Sequence, residues 1–188
     1  MEGFDRNYPL FSLCGLNCGL CQMHLGGYCP GCGGGSGNQA CAIARCGIQH
    51  GQVEYCFECS EFPCERYDGL EEYDSFISHR NMIRDLKKVK DIGIDAYRAE
   101  LDERISILRS LLAEYNDGRK KTMYCQAANL LELQDLRDVM NQLAEEMDSQ
   151  AEGLSLKEKA AIAAELFQTT ADRRGVVLKL NKKPKNGK

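Results

Sequence analysis

The chain has 188 residues, and most of its 11 cysteines and 18 glycines lie in the N-terminal third. The formal charge of −4 at pH 7 resides in the first 65 residues, which carry two arginines, no lysine and six acidic side chains. No apolar run reaches about 18 residues, which excludes a transmembrane helix, and the acidic start has no apolar segment of the kind found in secretory signals.

Residues 10–66 are predicted to form a cysteine-rich metal-binding domain. The absence of a signal indicates a cytoplasmic protein, in which thiols stay reduced, so the ten cysteines between positions 14 and 64 indicate metal or redox chemistry rather than disulfides. The apolar residues of this segment are scattered without a sustained period, so we expect burial alone not to offset its chain entropy. The sequence therefore predicts irregular, zinc-ribbon-like knuckles, with short hairpins at most, that depend on bound metal.

Three cysteine pairs with the spacing C-x2-C define the predicted ligands, because two cysteines at this spacing place both sulfurs on one ion. Cys18 and Cys21 are followed by Cys29 and Cys32, and the four make a compact thiolate set for a first zinc ion. A tetrahedral second site takes four ligands, but five candidates remain for it, and Cys14 is surplus as well. The candidates for the second ion are Cys41, Cys46, Cys56, Cys59 and Cys64.

The ten clustered cysteines exceed two four-thiolate sites by two, and three interpretations account for the surplus. Two zinc ions leave two thiols free, or a third, incomplete site uses water or His24 and keeps an open position. Alternatively, the thiolates hold iron–sulfur clusters, which also take four ligands each. The spacing Cys14-x3-Cys18-x2-Cys21 matches the cluster motif of radical enzymes that use S-adenosylmethionine, but the strands and helices of their barrel do not follow it.

Residues 67–175 are predicted to form a helical domain, because their apolar residues recur every three or four positions. Gly93 is expected to end the first helix, and Asp135 to cap the fourth. Ser155 and Glu158 form a capping-box pattern at the start of the fifth. The apolar stripes of the five helices run over 70–89, 97–115, 122–131, 136–147 and 155–175.

Residues 176–188 are predicted to form a short strand, 176–180, and a basic tail with four lysines. Cys125 lies on a helix among small and apolar neighbours, so we interpret it as a buried, inert thiol. The fold class expected from the whole chain is α with small metal-binding knuckles. In this architecture the cysteine-rich domain packs on a bundle of four or five helices.

The cysteine ladder resembles a known family through two strings and the knuckle between them. The strings are Cys14-Gly-Leu-Asn-Cys18-Gly-Leu-Cys21 and Glu54-Tyr-Cys56-Phe-Glu-Cys59-Ser-Glu-Phe-Pro-Cys64-Glu65, and the knuckle is Cys29-Pro-Gly-Cys32. They are similar to the cysteine-rich prokaryotic family catalogued as domain of unknown function 3795. The resemblance covers about residues 10–90 and implies a metal-binding domain with no established reaction. Many members of that family end in a further zinc ribbon, whereas this chain continues into helices.

The sequence thus predicts a zinc-binding module, with about two ions, that serves protein interaction or regulation. Four-cysteine zinc sites are closed, and closed sites support structure rather than catalysis, so no catalytic residue is predicted. The alternative is an iron–sulfur redox protein or an accessory factor of a redox enzyme. We expect a protein partner and no membrane, and the acidic cysteine region disfavours nucleic acid, whose phosphates attract basic surfaces.

Overall fold

The computed structural model describes residues 4–36, 41–149 and 153–184. Within these ranges the predicted helical bundle is confirmed, and neither β-strands nor ribbon hairpins occur. Single 3₁₀ turns take the place of hairpins in the cysteine-rich segment, at Cys18–Leu20, Cys56–Glu58 and Glu65–Tyr67. The α-helices of the described ranges are α1 (Gln22–Leu25), α2 (Ala42–Gln49), α3 (Met82–Ile92), α4 (Ile94–Glu114), α5 (Lys121–Leu130), α6 (Leu133–Ser149) and α7 (Leu156–Arg174).

The chain divides into two compact units. The cysteine unit comprises Met1–Leu101 with Leu180–Lys188, and the helical unit comprises Asp102–Lys179. The cysteine unit thus extends well beyond residue 66. Tyr67, which is only 6% exposed, shows why, because its hydroxyl donates a hydrogen bond to the Cys14 carbonyl 3.3 Å away.

The cysteine unit has an apolar core, which corrects the expectation that its N-terminal segment buries little. Phe11, Leu13 and Leu20 are at most 1% exposed. The ring of Phe11 lies 4.6 Å from that of Tyr97 in α4 and 5.5 Å from that of Tyr55, centroid to centroid. Complete burial of one such side chain contributes about 1.5–3 kcal/mol, so residues from α4 supply burial that the cysteine segment alone lacks.

Residues 70–81 correct a second expectation, because they form turns where the apolar period predicts a helix. α3 begins only at Met82. The Asp74 carboxylate accepts hydrogen bonds from the Ser78 hydroxyl (3.0 Å) and from the His79 backbone amide (2.8 Å). A side chain that bonds nearby backbone groups competes with helical hydrogen bonding, so the helical spacing of apolar residues does not produce a helix before Met82.

The helical unit is built around fully buried aromatic side chains. Tyr124 of α5 and Phe167 of α7 are both 0% exposed, and their rings meet edge to face with centroids 5.9 Å apart. Arg104 of α4 is buried too, and its Nη1 donates to the carbonyls of Ala128 (2.8 Å) and Leu131 (2.7 Å). The last carbonyls of a helix have no partner inside it, so this arginine satisfies the C-terminal end of α5.

The predicted helix ends are confirmed at three places and wrong at one. Ser155 and Glu158 form the capping box of α7, and Gly93 and Gly175 follow the last residues of α3 and α7. Asp135, however, does not cap α6, which begins two residues earlier. Its carboxylate, buried at 1% exposure, instead accepts a hydrogen bond from Nη2 of Arg174, 2.7 Å away.

Residues 176–180 do not form the predicted strand, and the described part of the chain has no strand with which they could pair. Asn181 joins the cysteine unit instead. Its backbone amide donates to the Asp74 carboxylate (2.8 Å), and its carbonyl accepts from the Asp74 amide (2.7 Å). The Nζ of Lys182 donates to the carbonyl of Ser75 at 2.6 Å. The predicted tail therefore contacts the cysteine unit through Asn181 and Lys182, and its residues 185–188 lie outside the described ranges.

Candidate metal centre

The ten cysteines from Cys14 to Cys64 are free thiols that all belong to the cysteine unit. Cys14 is buried, Cys41 is exposed, and the other eight are half-buried. Within residues 4–36, 41–149 and 153–184, no three Cys, His, Asp or Glu side chains stand in an arrangement that would hold an ion. The sulfurs nevertheless fall into two neighbouring groups, which approach each other at Cys14 and Cys56.

A tight turn presents Cys14. The Ser12 amide donates to the Leu16 carbonyl (2.8 Å), and the Ser12 hydroxyl accepts from the Leu16 amide (2.7 Å). The same hydroxyl lies 3.1 Å from the Cys14 sulfur. Gly15 completes the turn with φ +93° and lies against the Met82 carbonyl of α3. A side chain would be strained at this φ and would overlap that carbonyl, so the turn requires glycine.

The first sulfur group consists of Cys14, Cys18, Cys21, Cys32 and Cys41. Burial, followed by repulsion from the sulfurs of Cys32 and Cys41, raises the pKa of the Cys14 thiol to about 12. Burial also raises the pKa of Cys18 well above the usual thiol value, and the sulfurs of Cys32, Cys14 and Cys21 add to this effect. Desolvation and like charge both oppose ionisation, so these thiols need a nearby cation in order to act together as thiolates.

Arg6 places a positive charge beside this group. Burial raises the pKa of the Cys32 thiol, and the Arg6 guanidinium, which hydrogen-bonds it, opposes that rise. The guanidinium is held by the carbonyls of Phe11 (2.6 Å from Nη1) and Glu54 (2.8 Å from Nη2) and lies over the Tyr55 ring, 4.8 Å from its centroid. Nη2 also lies 3.3 Å from the Glu54 carboxylate, so this buried cation stabilises negative charge on that carboxylate as well as on the Cys32 sulfur.

The second sulfur group consists of Cys46, Cys56, Cys59 and Cys64, which line one small cavity of about 20 Å³. Cys46 comes from α2, and Cys56 begins the 3₁₀ turn that precedes Cys59. The Cys59 amide donates to the Cys56 carbonyl at 3.1 Å, which closes a compact knuckle between the two sulfurs. A cavity of this size accommodates one water or one ion.

Two polar side chains lie beside the second sulfur group. Burial raises the pKa of the Cys56 thiol to about 12, repulsion from neighbouring sulfurs adds to this effect, and the nearby Tyr67 hydroxyl opposes it. Arg66 hydrogen-bonds the sulfur of Cys46, and this contact raises the pKa of the guanidinium. Donors of this kind orient metal ligands and stabilise their charge.

The structure adds neighbours to the predicted first ligand set. Cys18 interacts with Cys21 and Cys32, as that set expects, and Cys14 and Cys41 lie near them as well. The carbonyl of Cys29, the fourth predicted ligand, accepts a hydrogen bond from Nδ1 of His24, 3.0 Å away. The surplus sulfur of the predicted second set, Cys41, thus lies with the first group. Cys125, predicted to be buried, is only 1% exposed in the helical unit.

Sequence reasoning did not identify Arg6, Arg66 or Tyr67 as neighbours of the sulfurs. Arg66 and Tyr67 follow Cys64 closely, so cationic and hydroxyl donors close to the ladder were a usable signal. Arg6 lies near Cys32 only because of the tertiary fold, and no local sequence pattern predicts that contact.

No family model, curated protein or solved structure matches this chain. The resemblance to the family of domain of unknown function 3795 therefore stays a prediction. The described helices include none with the length and apolar character required to cross a bilayer.

Proposed function

We propose that the cysteine unit is a zinc-binding module, holding about two ions, that serves protein interaction or regulation. The observation that carries this proposal is the gathering of free thiols into two groups in one compact unit. Thiolate is the ligand that zinc and iron–sulfur sites share, and the donor chemistry of both groups fits such a centre. Arg6 and Arg66 lie where negative charge on sulfur needs support.

A bound cation would resolve the electrostatic conflict within each group. Burial and repulsion from neighbouring sulfurs raise the pKa of Cys14 and Cys18 in the first group and of Cys56 in the second, so these three thiols resist the loss of their protons. Zinc displaces those protons and pairs each thiolate with positive charge, so binding energy becomes folding energy. A site closed by four sulfurs leaves no coordination position for a substrate, which favours a structural or interaction role over catalysis.

The charge of the module supports a protein partner rather than nucleic acid. The first 65 residues carry a formal charge of −4, and each Zn²⁺ held by four thiolates adds about −2. An acidic surface repels phosphate backbones and attracts basic protein surfaces, which makes the latter the class of partner we propose.

Metal content tests the proposal directly. The full chain is purified without air and its zinc and iron are measured together with a visible spectrum. We expect colourless protein with about two zinc ions per chain, and the Cys125→Ser variant should contain the same amount. Brown protein that contains iron and sulfide would contradict the zinc assignment and support the iron–sulfur alternative. Protein that retains neither metal, and takes up neither when they are supplied, would contradict metal binding.

A further inference from the structure

α2 separates two cysteines that the sequence leaves in one set. Cys46 of α2 and His50, which directly follows the helix, are four positions apart, about one helical turn, and both line the cavity of the second sulfur group. Cys41 stands at the N-cap of α2, where the backbone is extended rather than helical. It is not among the residues that line this cavity, and its sulfur instead acts on Cys14 and Cys32.

We propose that Cys46, Cys56, Cys59 and Cys64 together form a single four-thiolate metal site, and that Cys41 is not one of its ligands. This assignment rests on the proposed function and specifies it. It reduces five candidate sulfurs to the number that a tetrahedral ion takes. Zinc takes thiolate sulfurs at about 2.3 Å, and the four side chains do not stand in that arrangement in the described structure, so binding requires them to move toward a common ion.

His50 lines the same cavity but is not a ligand through Nδ1. That nitrogen lies 2.9 Å from the Cys46 carbonyl, and a carbonyl only accepts hydrogen bonds, so Nδ1 carries the proton. It also lies 3.4 Å from the Cys46 sulfur. Nε2 of the ring is 3.8 Å from the Glu61 carboxylate. The imidazole therefore stands beside a ligand, as the hydrogen-bonding neighbours of metal sites do.

Charged side chains of both signs line the cavity, the carboxylate of Glu61 and the guanidinium of Arg66. Arg66 lies beside the Cys46 sulfur and belongs to the 3₁₀ turn that follows Cys64. The segment that supplies one proposed ligand therefore also supplies a cation that stabilises negative charge on another.

Zinc stoichiometry in four variants of the full chain tests the assignment: Cys59→Ser, Cys41→Ser, the double variant and His50→Ala. We expect Cys59→Ser to lose one of the bound zinc ions in the wild-type background and again in the Cys41→Ser background, because the two cysteines serve different sites. His50→Ala should keep the full zinc content. The assignment is overturned if Cys59→Ser removes no further zinc from the Cys41→Ser variant, which would place both cysteines on one ion, or if His50→Ala loses an ion.

Alkylation of the wild-type holoprotein gives a second test that does not depend on a variant folding. Iodoacetamide labelling is followed by mass spectrometry before and after chelation. We expect the thiols of Cys46, Cys56, Cys59 and Cys64 to be protected together and to become reactive together. Full labelling of any one of them while the ion stays bound would overturn the assignment. Wild-type protein that binds no metal would instead contradict the proposed function itself.

Discussion

The side-chain amide of Asn17 donates a hydrogen bond to the carboxylate of Asp85 in α3, 2.9 Å away and 68 positions later in the chain. The hydroxyl of Tyr97 donates to the Asn17 side-chain oxygen, also at 2.9 Å, and the Asn81 amide donates to the same carboxylate. Both Asn17 and Asp85 are at most 3% exposed. Because Asn17 directly precedes Cys18, this buried network fixes the backbone that carries the first sulfur group.

Replacing Asn17 tests the energetic importance of this network. Asn17→Ala removes a buried hydrogen bond to a carboxylate and the acceptor that the Tyr97 hydroxyl uses, so the free energy of unfolding should fall by about 2–3 kcal/mol. Urea denaturation measures the change. The control is Asn141→Ala on the exposed surface of α6, which should alter stability by less than about 0.5 kcal/mol. Equal effects of both substitutions would contradict a stabilising role for the network.

The pH dependence of stability tests the Asp85 carboxyl group. Burial raises the pKa of Asp85, and the Arg84 guanidinium and the Asn17 amide only partly oppose this. The folded state therefore binds this proton more tightly than the unfolded chain. The resulting stabilisation is complete below the usual carboxyl pKa and is lost as pH rises through the raised value. Relative to Asp85→Asn, the wild type should lose stability as pH rises above about 4.

An opposite slope at Glu103 provides the control for this measurement. Hydrogen bonds from Arg137 lower the pKa of Glu103, so its stabilisation is present above the usual carboxyl pKa and is lost as pH falls. Urea titrations of Asp85→Asn and Glu103→Gln over the same pH range should thus differ in the sign of their slopes relative to wild type. A shared sign would contradict the direction assigned to Asp85.

Alanine substitutions at two glycines with positive φ distinguish the cost of backbone strain from the cost of steric overlap. Gly15 has φ +93° and lies against the Met82 carbonyl, whereas Gly27 has φ +74° and open space within 4 Å of the position that a β-carbon would take. Gly27→Ala should cost about 1–2 kcal/mol from the left-handed conformation alone. Gly15→Ala should cost about 1–3 kcal/mol more, because α3 must also move. Thermal or urea unfolding measures both, and equal losses would rule out the close approach to α3.

Metal removal should destabilise the cysteine unit and leave the stability of the helical unit nearly unchanged. The cysteine unit contains both sulfur groups, whereas the helical unit has its own buried core around Tyr124 and Phe167. After chelation of the holoprotein, amide hydrogen exchange should accelerate within residues 10–66 and change little in α5 to α7. Uniform acceleration along the whole chain would show that the helical unit also depends on the metal.

The sequence predicts those helix ends that depend on local chemistry. The hydroxyl of Ser155 and the carboxylate of Glu158 act within one turn of α7, so their spacing alone is informative. Asp74 shows why residues 70–81 were mistaken for helix, because this side chain bonds Ser78 and His79 nearby and also Asn181, 107 positions away. Apolar periodicity contains no information about such a distant partner.

Spacing along the sequence predicts some neighbours of a sulfur and misses others. It groups Cys32 with Cys18, which interacts with it in the structure, but it gives no sign that Cys14 and Cys41 also lie near Cys32. Spacing reports neighbours along the chain, whereas the grouping of sulfurs depends on how α2 and the turns pack. The buried Arg6 beside Cys32 could not be predicted for the same reason.

The hydrogen bonds between Asp74 and Asn181 can form only late in the synthesis of the chain. The unit is left incomplete while the helical unit, which lies between its two chain segments, is translated. At roughly 5–20 residues per second, the 107 positions that separate the two residues take about 5–20 s to elongate. All ten clustered thiols are synthesised before then, so the metal binding proposed above does not have to wait for the last stabilising contacts of the unit.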